Sequence, residues 1–136
     1  MAGLAACFGS GAMTNSIADV EEAGCILVIG SDTTSQHPLI ARRVIVAKEK
    51  GAKVIVIDPR KIQLALIADL YLPINPGTNV MLLNGMMKVI VDEGLEDKRF
   101  IEERTEGFPD LMEALKDYSL NQVEQVTDVP KELIKE

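Results

Sequence analysis

The 136 residues predict an α/β fold with a short parallel sheet and a helical C-terminal part. Three observations carry this. Residues 25–29, Cys-Ile-Leu-Val-Ile, and 54–57, Val-Ile-Val-Ile, are short apolar runs closed by Gly30 and Asp58. Runs of that length, rich in Val and Ile, read as strands buried on both faces. Between them, apolar residues at 40, 41, 44, 45 and 47 keep helical spacing over 39–50, and Gly51 stands where a C-cap glycine stands. Strand, helix and strand in this order form a right-handed βαβ unit with parallel strands.

Each further element follows from its own residues. Residues 1–11 are small, apolar and uncharged, and read as the inside of a longer chain rather than a free terminus. Thr14, Asn15 and Ser16 are N-cap candidates for a short helix over 17–23, which Gly24 ends. Pro38 suits the first turn of the 39–50 helix. A helix is expected over 61–68 and a third parallel strand over 70–74. Residues 75–79, Asn-Pro-Gly-Thr-Asn, turn the chain into a long apolar helix over 80–93, stopped by Gly94. Met81, Met86 and Met87 read there as core filler. Amphipathic helices follow over 97–103, 109–117 and 120–126, and a last one from Pro130 breaks off uncapped. The organisation is one domain over 1–136, with a βαβ core over 1–95 and a helical extension over 96–136.

Composition narrows the function. A hydrophobic content of 47% supports a core, and with aromatics at 4% and no Trp that core is aliphatic. No apolar run approaches the roughly 20 residues of a membrane span, and the start has no basic region of the kind a signal peptide needs. Residues 1–60 carry six Lys/Arg and six Asp/Glu; residues 61–136 carry eight and fifteen. An acidic helical half argues against nucleic acid as a partner, which needs a basic surface. It reads as a solvated face, or as a docking surface for another domain or subunit. Cys7 and Cys25 form no CxxC pair and no metal-ligand spacing, and both read as small core hydrophobes.

Ligands of open α/β sheets bind at the carboxyl ends of strands, and three polar loops lie at such ends: 30–36, 58–60 and 76–79. The first lacks the GxGxxG pattern, since only Gly30 is glycine. Ser31, Asp32, Thr33, Thr34, Ser35 and Gln36 can hold an anion, or can equally cap the next helix through Asx and Ser/Thr turns. His37, the only histidine, sits beside Pro38 at a helix start and reads as structural. Asp58 stands 28 residues after Gly30, where an acid commonly accepts ribose hydroxyls, and Arg60 can stack on a base or grip a phosphate. Asp58 can also be a cap for the 61–68 helix, with Arg60 solvated.

These loops and their neighbours resemble the molybdopterin oxidoreductase family, and within it the formate dehydrogenase catalytic-subunit branch. The resemblance covers nearly the whole chain. It is carried in order by Ala2-Gly3-Leu4 and Gly11-Ala12-Met13, by Gly30-Ser31-Asp32 through His37-Pro38, and by Asp58-Pro59-Arg60-Lys61. Ile67-Ala68-Asp69, Gly77-Thr78-Asn79 and Leu82-Leu83-Asn84 continue it, and residues 104–108, Arg-Thr-Glu-Gly-Phe, are similar to the formate dehydrogenase branch. The resemblance implies the first part of a Rossmann-like three-layer domain that binds a molybdopterin guanine dinucleotide. Gly30, Asp32, Ser35 and Gln36 match the first cofactor loop. Ile57, Asp58 and Arg60 match the second, with the acid on the guanosine ribose. Pro76, Gly77 and Asn79 match the third, near the guanine. Relatives usually have Asn, often followed by Pro, where this chain has Asp32 and Thr33, and a carboxylate near a pyrophosphate is unfavourable unless it is turned away or paired.

The resemblance also implies what lies elsewhere. The cysteine or selenocysteine that binds molybdenum or tungsten, the iron–sulfur cysteines and the first cofactor-binding half are expected before Met1. No catalytic residue and no metal ligand is assigned within 1–136, and the chain alone is expected to be inactive. The parent is expected to be a cytoplasmic enzyme that oxidises formate to carbon dioxide and passes electrons to an iron–sulfur cluster. The partners implied are the remaining domains of the same subunit and an iron–sulfur electron-transfer subunit, with no nucleic acid and no membrane. Alternatives are a related nitrate reductase or formylmethanofuran dehydrogenase, a catalytically silent structural domain, and a nucleotide-binding module complete in itself.

Overall fold

The structure, a computed structural model, describes residues 2–136. Strands β1 (Cys25–Ile29), β2 (Lys53–Ile57) and β3 (Leu70–Leu72) form one short parallel sheet in the order β1-β2-β3. The α/β expectation therefore holds. β2 carries the most deeply buried strand residues, with Val54, Val56 and Ile57 wholly inaccessible. β3 is two residues shorter than expected, because Pro73 follows Leu72 and has no N–H to give a ladder. The chain divides into two compact units, one of residues 2–56 with Ile62–Asp69, the other of Ile57–Lys61 with Leu70–Glu136.

In the first unit, α1 (Ala2–Phe8) is a helix that the small apolar start did not announce, and it has no buried residue. A 3₁₀ turn covers Ile17–Glu22, and the Asp19 carboxylate accepts the Ser16 amide at 2.9 Å. Between β1 and β2, α2 (Thr33–Gln36) is a single turn, and α3 (Pro38–Glu49) begins with proline at its first position. α3 buries Ala41, Val44 and Ala47, whose i, i+3, i+6 spacing marks its core face.

Two expectations about the first unit are corrected. Cys25 and Cys7 are exposed free thiols, not core residues. Cys25 is the first residue of an outer strand, and of β1 only Val28 is buried, so β1 is not covered on both faces as its unbroken apolar run implied. The 61–68 helix is also replaced. Ile62 is extended, and only Gln63–Leu66 forms a 3₁₀ turn. The segment instead closes back on β2 through Asp69. Its amide donates to the Val54 carbonyl at 2.8 Å, and its carboxylate accepts from the Val54 amide at 2.8 Å and from Lys48 Nζ at 2.7 Å.

These bonds, led by the one from Lys48, lower the Asp69 pKa from 3.8 to about 2. A carboxylate with a depressed folded-state value contributes stability above its unfolded value and loses it as pH falls through the folded one. The contribution from Asp69 is therefore present at neutral pH and fades as pH falls from 3.8 to about 2. Asp69→Asn is expected to lower the melting temperature at neutral pH and to converge on the wild type at pH about 2. Thermal unfolding of both proteins across this range checks it; a gap that stays constant with pH would rule it out.

The second unit is mainly helical, with α4 (Asn79–Asp92), α5 (Lys98–Arg104), α6 (Phe108–Leu115), α7 (Leu120–Thr127) and α8 (Lys131–Lys135). Asp97 caps α5 by accepting the Phe100 amide at 2.9 Å, and Ser119 caps α7 through Gln122. Pro130 is the residue before α8 rather than its first turn. α4 packs on α6, α7 and α8. Its buried stripe is Leu82, Gly85 and Val89. Met81, Met86 and Met87 are only half-buried, which corrects their reading as core filler. Met81 and Met86 flank the stripe, while Met87 lies on the opposite face of α4 and lines an apolar pocket with Ile90 and Val91.

Candidate functional site

Asp58 follows directly on β2 in the second unit and is 3% exposed, a buried carboxylate between an apolar strand and an exposed turn. Its Oδ1 accepts the Arg60 amide at 2.8 Å, an Asx turn that Pro59 pre-sets by fixing its own φ. Arg60 Nε lies 3.6 Å from the same oxygen, while the rest of that side chain is exposed. Tyr71, on β3, donates its hydroxyl to the Asp58 carbonyl at 3.0 Å. Burial, and then the Asp58 charge, push the Tyr71 hydroxyl above its ordinary pKa, so it stays a donor at neutral pH. Among the described residues Oδ2 of Asp58 accepts no hydrogen bond. The carboxylate is thus held by one oxygen and leaves the other for a donor. Asp58 is a turn residue here, not the cap of a following helix. Ile57 beside it has a fully buried side chain, so any contact it makes with a ligand is through its backbone.

The third loop belongs to the same unit. Gly77 has φ +84°, a left-handed conformation that glycine adopts without strain. Pro76, Gly77 and Asn79 are exposed, and Asn79 is the first residue of α4. What holds this loop was not visible in the sequence. The Asn75 amide donates to the Thr127 carbonyl at 2.9 Å and its Nδ2 to the Val126 carbonyl at 3.3 Å. Thr127 itself is buried, donates to Val123 at 2.7 Å and accepts the Val129 amide at 3.2 Å. The end of α7 therefore positions a loop some fifty residues earlier. Asn75 next to Pro76 was the only local signal, since a short amide side chain beside proline is turn chemistry.

The first loop belongs to the first unit. Gly30 turns the chain out of β1 with φ +58°. The Asp32 carbonyl accepts the Ser35 and Gln36 amides at 3.1 and 2.9 Å, and the Asp32 carboxylate accepts the Thr34 hydroxyl at 3.2 Å. Thr33 is buried, with its hydroxyl 3.1 Å from that of Ser31. The Ser35 and Gln36 amides are thus committed within the loop, while both side chains are exposed. His37 closes α2 and precedes Pro38, with its carbonyl accepting the Ile40 and Ala41 amides.

No group of three or more His, Cys, Asp or Glu side chains that could hold a metal ion is found among the described residues. No helix among them is long and apolar enough to cross a membrane.

Comparison with known proteins bears on what these loops do. The alpha subunit of an F420-dependent formate dehydrogenase from Methanocaldococcus jannaschii is 59% identical over 132 residues, covering 97% of this chain and 20% of that protein. Formate dehydrogenase H of Escherichia coli is 43% identical over 129 residues, covering 95% of this chain and 18% of that protein. Among solved structures, the acetylene hydratase of Pelobacter acetylenicus superposes with a TM-score of 0.78 at 31% identity, over 88% of this chain and 18% of that one. The chain spans about a fifth of the length of the relatives it matches. A family model accounts for residues 5–134, and with likeness running along the same span in both sequence and fold, the chain belongs to the molybdopterin oxidoreductase family.

Proposed function

We propose that this chain is the part of a formate dehydrogenase catalytic subunit that holds the guanosine end of a molybdopterin guanine dinucleotide. The observation that carries the reading is Asp58: a buried acid at a strand end, with one oxygen fixed by the Arg60 amide and the other uncommitted. Ribose hydroxyls are donors, and a carboxylate held in this way accepts them without first giving up a bond. Arg60, exposed and planar, stacks on the base or pairs with phosphate. Gly30 lets the first loop turn, and Ser35 and Gln36 offer a hydroxyl and an amide side chain to the cofactor. The Asp32 carboxylate is occupied by Thr34, which lessens the conflict between this acid and a pyrophosphate. Pro76 and Gly77 shape the loop near the guanine, and Asn79 supplies both a donor and an acceptor to it.

The formate dehydrogenase branch is supported by the 59% identity to an enzyme of that name. In the parent, the metal–pterin group supplies the chemistry: formate loses a proton and two electrons to give carbon dioxide, and the electrons pass to an iron–sulfur cluster. The names of the relatives point to F420 as a later acceptor. This chain contributes binding and orientation, and its partners are the rest of that subunit and an iron–sulfur electron-transfer subunit, in the cytoplasm. The likeness to a hydratase favours a division of labour in which this region holds the cofactor and the reaction is chosen elsewhere.

The test is an amide NMR titration of the 136-residue chain with GDP, with ADP as the control base. GDP is expected to shift the Asp58, Arg60, Gly77 and Asn79 amides, at millimolar affinity because most of the cofactor is missing, and ADP to shift them less. Unmoved Asp58 and Arg60 amides at saturating GDP would refute the guanosine assignment.

A further inference from the structure

Asp58 is held from two directions, and its Asx turn accounts for only one of them. That turn closes within itself: Oδ1 accepts the Arg60 amide at 2.8 Å. It fixes the carboxylate relative to residues 58–60 but does not fix those residues relative to the sheet. The Tyr71 hydroxyl supplies the second tie, donating to the Asp58 carbonyl at 3.0 Å. Among the described residues this is the one side-chain hydrogen bond from another element onto residues 58–60.

Tyr71 is the middle residue of β3, which lies beside β2. Leu72 is buried and Tyr71 only half-buried, as successive strand side chains point to opposite faces. Phenylalanine would suit a strand there equally well, so what the phenol adds is its hydrogen bond. The peptide that joins Asp58 to Pro59 has no N–H. Its carbonyl is therefore the one hydrogen-bonding group by which the neighbouring strand can hold it. Burial, and after it the Asp58 charge, raise the pKa of the Tyr71 hydroxyl, so the phenol also senses the state of that carboxylate.

We infer that Tyr71 is a positioning residue for ribose recognition: its hydroxyl holds the Asp58 main chain so that the uncommitted carboxylate oxygen meets the ribose hydroxyls of the guanosine. The inference deepens the guanosine reading and rests on it. Tyr71 acts on the sugar and not on the base, because Gly77 and Asn79 lie on a loop held separately, through Asn75, by the end of α7. Without the tie, Asp58 has to be ordered when the ligand binds. That ordering weakens a nucleotide with ribose hydroxyls and leaves one without them unaffected.

The test uses Tyr71→Phe, which keeps the ring and removes the bond. GDP, 2′,3′-dideoxy-GDP and ADP are titrated into the 136-residue chain and into the variant, with affinities taken from amide NMR shifts. The wild type is expected to bind GDP more tightly than the dideoxy nucleotide. Tyr71→Phe is expected to weaken GDP and ADP alike, by about fourfold, the worth of one hydrogen bond. Affinity for dideoxy-GDP is expected to stay the same, which a general loosening of the fold would not allow. Equal losses for GDP and dideoxy-GDP, or an unchanged GDP affinity, would overturn the inference and leave the guanosine reading standing. A wild type whose Asp58 and Arg60 amides ignore GDP fails the guanosine reading itself, and one that binds GDP and dideoxy-GDP equally removes the ribose role of Asp58; the inference falls in both cases. The wild type also decides the matter if the variant is unstable: the Tyr71 Cζ signal is expected to move with GDP and not with dideoxy-GDP, and the same response to both would overturn the inference.

Discussion

Asp58→Asn is expected to weaken GDP binding by roughly tenfold or more while leaving the fold intact, about the worth of a hydrogen bond to a charged group. The amide keeps an oxygen for the Arg60 N–H, so the Asx turn survives. Its other atom becomes an NH₂, which donates where the carboxylate accepted, and a ribose hydroxyl loses its charged partner. Asp58→Ala loses both functions. It is expected to match the Asn variant in lost affinity and to add about 1 kcal/mol of instability, the usual worth of a side chain that caps local backbone. Calorimetric titration with GDP beside thermal melts separates the two effects. If Asn retains affinity within a factor of about two, the carboxylate does not bind the ribose as a charged acceptor.

Gly85→Val is expected to destabilise the second unit by about 3 kcal/mol, at the upper end of what overpacking a buried contact costs. A Cβ at Gly85 would stand 2.8 and 2.9 Å from the two Cγ atoms of Val123. Val123 is wholly buried on α7, and a β-branched side chain has almost no alternative rotamer in a helix. The backbone of α7 has little freedom either, since Thr127 and Asn75 tie its end to the third loop. Alanine at 85 gains about 1 kcal/mol of helix propensity over glycine, so its net loss is expected to be smaller. Val123→Ala in the Gly85→Ala background returns the space, and the double variant is expected to be more stable than the two single losses sum to. Urea unfolding of the four proteins measures this coupling; strict additivity would show that the helices separate freely. Because α7 also anchors residues 75–77, the Gly85 variants are expected to loosen the third loop.

Elements of the same unit differ in how plainly they could be read. β1 and α3 were placed to within a residue, because each announces itself by a period that repeats within a few residues. The same reading failed where burial depended on partners. Cys25 and Leu27 look like core by neighbourhood and are exposed by position, on a strand at the outer side of its sheet. The segment at 61–68 has helical composition, yet Asp69 is claimed by Val54 and Lys48, and these long-range bonds left room for one 3₁₀ turn. Of the candidate site, residue types and order were legible; that the Ile57 side chain is fully buried was not, because its burial follows from β2 lying in the middle of the sheet.

The sequence by itself determined the α/β class, the strand–helix order, the three loops at strand ends and the family. All of these rest on local periodicity, turn chemistry and short motifs, which act over neighbours along the chain. Only the tertiary structure decided that one oxygen of Asp58 is fixed and the other open, that Asn75 hangs on Thr127, that Gly85 must be small for Val123, and that one carboxylate oxygen of Glu96 is buried without a hydrogen-bond partner. Those facts depend on which faces meet across tens of residues, and a contact between distant residues leaves no periodic trace in either segment.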